Sequence, residues 1–213
     1  MICSLKMING TFKAGVISTF NLLRSHQNRE SILPTAITHS LIGLSASFSF
    51  DTRKKSIKFL FLSMACSILP DADIIGYYWL YTPSYHFFGH RGFFHSPFFA
   101  ALFSIFIVCL FFRTDAIFSK PWWKLVLYFF ILTASHGLLD AFTNGGNGIA
   151  LLSPITNDRY FFPWTPIEVS PLGIRVLFSR RGLDVLTSEL LWVWAPVLLL
   201  FVFNKMRNQK KVF

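Results

Sequence analysis

Four short stretches of the chain carry residue types that bind cations and move protons. They are Thr38-His39-Ser40, Leu69-Pro70-Asp71-Ala72-Asp73, Gly89-His90-Arg91-Gly92-Phe93-Phe94-His95-Ser96 and Ser135-His136-Gly137-Leu138-Leu139-Asp140. Imidazole and carboxylate together suit Zn²⁺, and also Mn²⁺ or Fe²⁺. His136 and Asp140 stand four residues apart, which on a helix puts both side chains on one face, a turn apart, able to grip one cation. Asp71 and Asp73 are two apart and would leave a helix on different sides. One is expected to meet a given metal, while the other bridges a second metal, binds water or orients a histidine. Pro70 removes a helical hydrogen bond and so kinks or breaks the segment where these carboxylates appear.

The glycines flanking His90 predict a hinged loop, which would let His90 converge with His95 in the first turn of the following helix. Between them, Arg91 offers a planar fork matched to a phosphate or carboxylate. Plainer readings exist for each residue: a helix-capping Asp pair, an Arg touching lipid headgroups, and a hydrogen-bonded packing role for His39 on its Ser/Thr-rich helix. His86 reads as a loop histidine, His26 as solvated, and Glu168 as a surface-loop residue within reach of the site. No GxGxxG, Walker, GxSxG or HExxH motif is present.

The elements that must position these groups lie in a chain poorly suited to water. Of 213 residues 53% are hydrophobic and only 14% charged, against about 25% charged in soluble domains. The mean hydropathy is +0.50. This composition excludes disorder, coiled coil, collagen and a disulfide-stapled domain, and leaves an integral membrane protein. A span needs about 20 apolar residues. The candidates are 57–80, 93–112, 124–143 and 187–203, with 34–50 as a shorter fifth. All must be helical, because lipid offers no partner for backbone polar groups.

The expected fold is therefore all-α, an integral membrane bundle of about five spans. A long irregular loop, 144–186, separates the last two and holds Gly145-Gly146-Asn147-Gly148 and four prolines. The expected organisation is a basic leader at 1–33, a membrane-embedded domain at 34–204 and a basic tail at 205–213. Cys3, Cys66 and Cys109 are far apart, with no CxxC.

Charge bears on topology. The chain has 20 Lys+Arg against 10 Asp+Glu, a formal +10, and the cations bunch between apolar runs rather than interleaving with aromatics, so no nucleic acid is expected. With five spans, Arg53-Lys54-Lys55, the Arg113–Lys124 loop and the tail fall on one face. The positive-inside rule makes that face cytoplasmic, with the C-terminus on it; the basic leader opposes this arrangement. At 1.5 Å per residue from the cytoplasmic ends, His39 and His136 lie roughly 18 Å up, Asp71, Asp73 and Asp140 roughly 21–24 Å, and His95 roughly 27 Å. In a hydrocarbon core about 30 Å thick this is one slab near the opposite face, as a single site requires.

Together the four motifs resemble the YdjM-like family of bacterial inner-membrane proteins, described as metal-dependent hydrolases. The resemblance spans roughly residues 34–172 and includes Arg159-Tyr160-Phe161-Phe162-Pro163; the HRGxxHS element is its most specific part. The family is distantly similar to zinc-dependent phospholipase C and P1 nuclease, which implies phosphoester hydrolysis. The leader is a departure, since members begin just before the first His motif.

The resulting expectation is a hydrolase of the inner membrane with His39, Asp71, Asp73, His90, His95, His136 and Asp140 as metal ligands. Asp73 would be general base, Arg91 would steady the substrate anion, and the metal, Zn²⁺ first, would activate water. Membrane lipid and an amphiphilic phosphate-bearing substrate are the expected partners. The rivals are a structural metal and, third, metal transport, which the apolar composition below the slab disfavours.

Overall fold

Runs of apolar residues opened by a serine become helices. In the computed structural model, residues 33–50, 56–79, 82–83, 85–113, 116–169 and 179–209 are described; the leader through residue 32 and the tail from residue 210 lie outside them. The helices are α1 (Leu33–Ser49), α2 (Ile57–Ile68), α3 (Ile74–Trp79), α4 (Pro97–Phe111), α5 (Lys120–Asp140), α6 (Arg180–Glu189) and α7 (Ala195–Gln209). Ser56, Ser96, Ser119 and Ser179 each accept a backbone N–H in the first turn of α2, α4, α5 and α6, satisfying donors that a helix start leaves open.

Two junctions depart from α geometry. Between α2 and α3 the chain tightens into a 3-10 turn, Leu69–Asp73, with Pro70 in its first turn. Between α6 and α7 it widens into a π turn, Leu190–Trp194. Three continuous helical runs are long and apolar enough to cross a membrane: Ile57–Gly76, Lys120–Asp140 and Arg180–Phe203; Pro97–Phe111 is a shorter apolar helix. The last run begins at Arg180 rather than at 187, because its first turns are amphipathic and escape a hydropathy reading, while Ser179 supplies their cap.

Among the described residues the segment after α5 forms no strand, only isolated bridges between Thr143 and Ile167 and between Ile149 and Tyr160. It returns to α5 through Phe162 N to Ala141 O (3.0 Å) and Asn144 N to Ile167 O (2.9 Å).

The core sits at one end of the bundle. Phe59 and Cys66 of α2, Ile107 and Val108 of α4, and Trp122, Tyr128 and Phe129 of α5 form one buried cluster. Tyr128 lies 5.1 Å from Phe59 and 4.3 Å from Phe50 between ring centroids, and its hydroxyl shares a 2.8 Å hydrogen bond with Ser63. A Cβ at Gly43 would lie 2.5 Å from Ser63 O, so α1 and α2 pack backbone to backbone, as small residues allow in lipid. Phe61, Phe106, Leu127, Ile131 and Leu199 point outward, an apolar exterior fit for lipid.

Candidate metal centre

At the other end of the same helices the polar groups converge. Pro70 ends the α-helical ladder of α2, and the 3-10 turn then buries both Asp71 and Asp73. The last turn of α5 supplies His136 and Asp140, both buried. The short turn Phe93–His95 delivers His95. A Cβ at Gly137 would collide with His95 O, so only glycine lets that turn lie against α5 beside His136. α1 brings His39, its ring stacked on His136 at 3.8 Å.

Four of these residues surround one point. His136 Nε2 lies 3.2 Å from Asp71 Oδ1 and 3.7 Å from Asp140 Oδ2. His95 Nε2 lies 3.6 Å from Asp71 Oδ1 and 3.4 Å from Asp140 Oδ2. One ligand atom from each of Asp71, His95, His136 and Asp140 lies within 4.8 Å of the others, and all four residues are buried. A tetrahedral site with bonds of about 2.0–2.1 Å has edges of roughly 3.3–3.4 Å, close to the separations found.

The ring orientations agree with this fit. His136 Nδ1 donates to Ser67 O at 2.8 Å, and His95 Nδ1 faces Asp73 Oδ2 at 3.1 Å. His136 is thus held from behind by a hydrogen bond, the usual arrangement for a metal-binding histidine. His95 is backed by the Asp73 carboxylate without a hydrogen bond at Nδ1 among the described residues, while each Nε2 faces the shared point. His95 Nε2 and His136 Nε2 are buried with no hydrogen-bond partner among the described residues, a costly state for a polar atom in an apolar bundle. The residues present fit a divalent cation, and the buried His/Asp group could hold one.

A second grouping shares His95. Asp73, His90 and His95 also bring ligand atoms within 4.8 Å. Here His90 Nδ1 donates to Asp73 Oδ1 at 2.7 Å, a hydrogen-bond distance, shorter than the edges of the first group. Asp73 Oδ2 also accepts the Arg91 N–H at 3.1 Å. Arg91 is held with φ +64°, a left-handed backbone that costs a residue other than glycine about 1–2 kcal/mol. Its Nη1 donates to Gly145 O at 2.7 Å and its Nε lies 3.6 Å from Asp140 Oδ2. His39 Nε2 stands 3.5 Å from Asp140 Oδ1, so the two Asp140 oxygens face different groups.

The irregular segment after α5 covers this end. Ala150 N donates to Arg91 O at 3.1 Å, Arg159 donates to His90 O and His86 O at 3.1 and 3.2 Å, and Asn157 donates to Tyr85 O at 2.8 Å. The structure brings together His39, Asp71, Asp73, His90, Arg91, His95, His136 and Asp140. It leaves His86 exposed, its ring accepting Phe88 N at 3.2 Å. Glu168 pairs with Arg181 at 2.7 Å, partly exposed; His26 lies outside the described residues.

Sequence reasoning missed Glu189, which is 1% exposed and accepts the Thr38 hydroxyl at 2.7 Å. The available signal was a carboxylate inside an apolar span, the same rule that singled out Asp140.

Comparison with known proteins agrees with the motifs. The sequence profile of the YdjM inner membrane protein family matches residues 35–211. Inner membrane protein YbcI of Escherichia coli (strain K12) is 36% identical over 172 residues, which cover 79% of this chain and 95% of that protein. No solved structure matches.

Proposed function

The chain belongs to the YdjM inner membrane protein family, and from that premise we propose that it is a membrane-bound, metal-dependent hydrolase acting on a phosphoester or lipid-linked phosphate. One observation carries the reading: two imidazole nitrogens and two carboxylates, from three separate elements, face one buried point at tetrahedral spacing. Asp71, His95, His136 and Asp140 would hold the metal, with His39 against the far oxygen of Asp140. A divalent ion there would supply Lewis acidity toward a phosphoryl oxygen and lower the pKa of bound water.

The remaining residues divide the other tasks. Asp73 faces His95 and accepts from His90, and the His90–Asp73 pair would take up a proton as general base. Arg91, fixed between Asp140 and the Gly145 carbonyl, steadies the anionic group of the substrate. An apolar pocket of about 290 Å³, lined by Leu151, Leu152, Tyr160, Phe161 and Phe162, lies on the same covering segment that bonds to Arg91 O. It supports an amphiphilic substrate, with its charged group at Arg91 and its tail in the pocket.

The burial of all four donors favours a second reading, a structural metal. Transport has less support, because Phe59, Phe129 and their neighbours fill the bundle below the site.

Metal analysis of detergent-purified protein beside His136→Ala and Asp140→Ala tests the site. Metal in the wild type and its loss in both variants is expected; equal, near-zero metal in all three sinks the reading. Hydrolysis of phosphoesters and phospholipids by the metal-loaded protein then separates enzyme from scaffold, and inactivity across a broad panel moves the assignment to a structural metal.

A further inference from the structure

Glu189 is a carboxylate within the last span, Arg180–Phe203, and none of the tasks above uses it. It is 1% exposed, and its Oε1 is buried with no hydrogen-bond partner among the described residues. Its Oε2 accepts the hydroxyl of Thr38 at 2.7 Å, and that hydroxyl in turn accepts Trp194 Nε1 at 2.8 Å. A carboxyl group inside a span is costly and persists where it has work to do.

The backbone is shaped for this contact. In an α-helix residues five apart point about 140° away from each other. Glu189 and Trp194 are five apart yet reach one hydroxyl. The π turn Leu190–Trp194 explains how, since i→i+5 closure brings such residues toward one side. The irregular turn is thus matched to one target, the Thr38 side chain.

The residue after Thr38 is His39. Its carbonyl accepts Ser67 Oγ of α2 at 2.7 Å, and its ring stacks on His136 of α5. One turn of α1 is therefore gripped by α2 at the His39 backbone, by α5 at the ring and by the last span at Thr38. The last span places no donor of its own in the metal-binding groups.

We propose that Glu189 is a positioning residue of the metal centre: with Trp194 it fixes Thr38, and thereby the rotation of α1 that sets His39 against Asp140. The inference rests on the metal reading above. Groups that orient a metal site from behind cost about 10–100-fold in metal affinity when removed. Glu189→Leu and Thr38→Val should each weaken metal binding by about tenfold or more. Glu189→Gln and Thr38→Ser keep an acceptor and a hydroxyl, and should stay near wild type.

The test is a competition titration of the full-length, detergent-purified protein with Zn²⁺ and a chromophoric chelator, beside thermal melting of each metal-free variant. The expected result is weakened binding in Glu189→Leu and Thr38→Val with metal-free melting near wild type, and recovery in Glu189→Gln and Thr38→Ser. Wild-type affinity in a folded Thr38→Val or Glu189→Leu overturns the proposal and leaves the metal centre standing. Zn²⁺ binding by none of the proteins overturns the metal reading, and this one with it. If Glu189→Leu fails to fold, Thr38→Val and Trp194→Phe carry the same test, and unchanged affinity in either folded variant is fatal to it.

Discussion

The two ends of α2 and α5 are built from the same helices and solve opposite problems. Toward one end Phe59 stacks on Tyr128 and meets Phe129 edge to face, and the Tyr128 hydroxyl is matched to Ser63. Toward the other, two turns further along α5, His136 sits among carboxylates with its Nε2 unmatched. The aromatic end is held by dispersion between closely packed rings, which needs no further participant, and its unmatched polar groups, such as the buried Trp122 Nε1, are neutral. The polar end gathers three carboxylates and four imidazoles and makes chemical sense with a cation among them. One end gives the bundle its cohesion and the other, on the function proposed above, its metal, so substitutions should separate stability from metal affinity.

Phe129→Ala carries the largest expected stability cost, about 3–5 kcal/mol for emptying the centre of a packed core. Chemical denaturation in detergent should show it, while Zn²⁺ affinity of the folded fraction stays unchanged; a parallel loss of affinity would mean that the two ends are not separable. Asp140→Asn should do the reverse. It removes a charged donor, so affinity should fall by more than about a hundredfold, beyond the range for orienting groups, with metal-free melting little changed.

Gly137→Val tests the junction. Its side chain meets His95 O, so both properties should suffer, with a destabilisation of about 1–3 kcal/mol and a measurable loss of Zn²⁺. A variant that binds metal normally would show that the His95 turn need not lie on α5. The smallest effect is expected of Phe106→Ala, on the lipid side of α4, within about 0.5 kcal/mol and without any effect on metal.

The sequence was most informative where local geometry decides the outcome. His136 and Asp140 share a face because a helix repeats every 3.6 residues, and Pro70 marks the break where the carboxylates gather. The expected all-α bundle is the fold observed, with three helices long and apolar enough to cross a membrane where about five spans were expected. The irregular described segment after α5 ends short of the helix beginning at Arg180. Which carboxylate faces which imidazole was not legible. That Asp73 meets His90 and backs His95, while Asp71 faces His136, depends on the path of the Gly89–Gly92 loop and on the contact at Gly137. The onset of α6 was hidden by its amphipathic first turns, and Glu189 by a reading that looked for ligands and passed over the groups that hold them.

The hydrogen bond between Thr38 and Glu189 joins residues 151 positions apart. A chain made from its N-terminus delivers Thr38 and His39 early and their acceptor near the end. Through the synthesis of every intervening span the hydroxyl is without its carboxylate, and α1 has only its contacts with α2 and α5 to set its rotation. The centre is therefore finished in time as well as in space. A chain that stops short of residue 189 would hold all four donors of the buried group and lack the last latch.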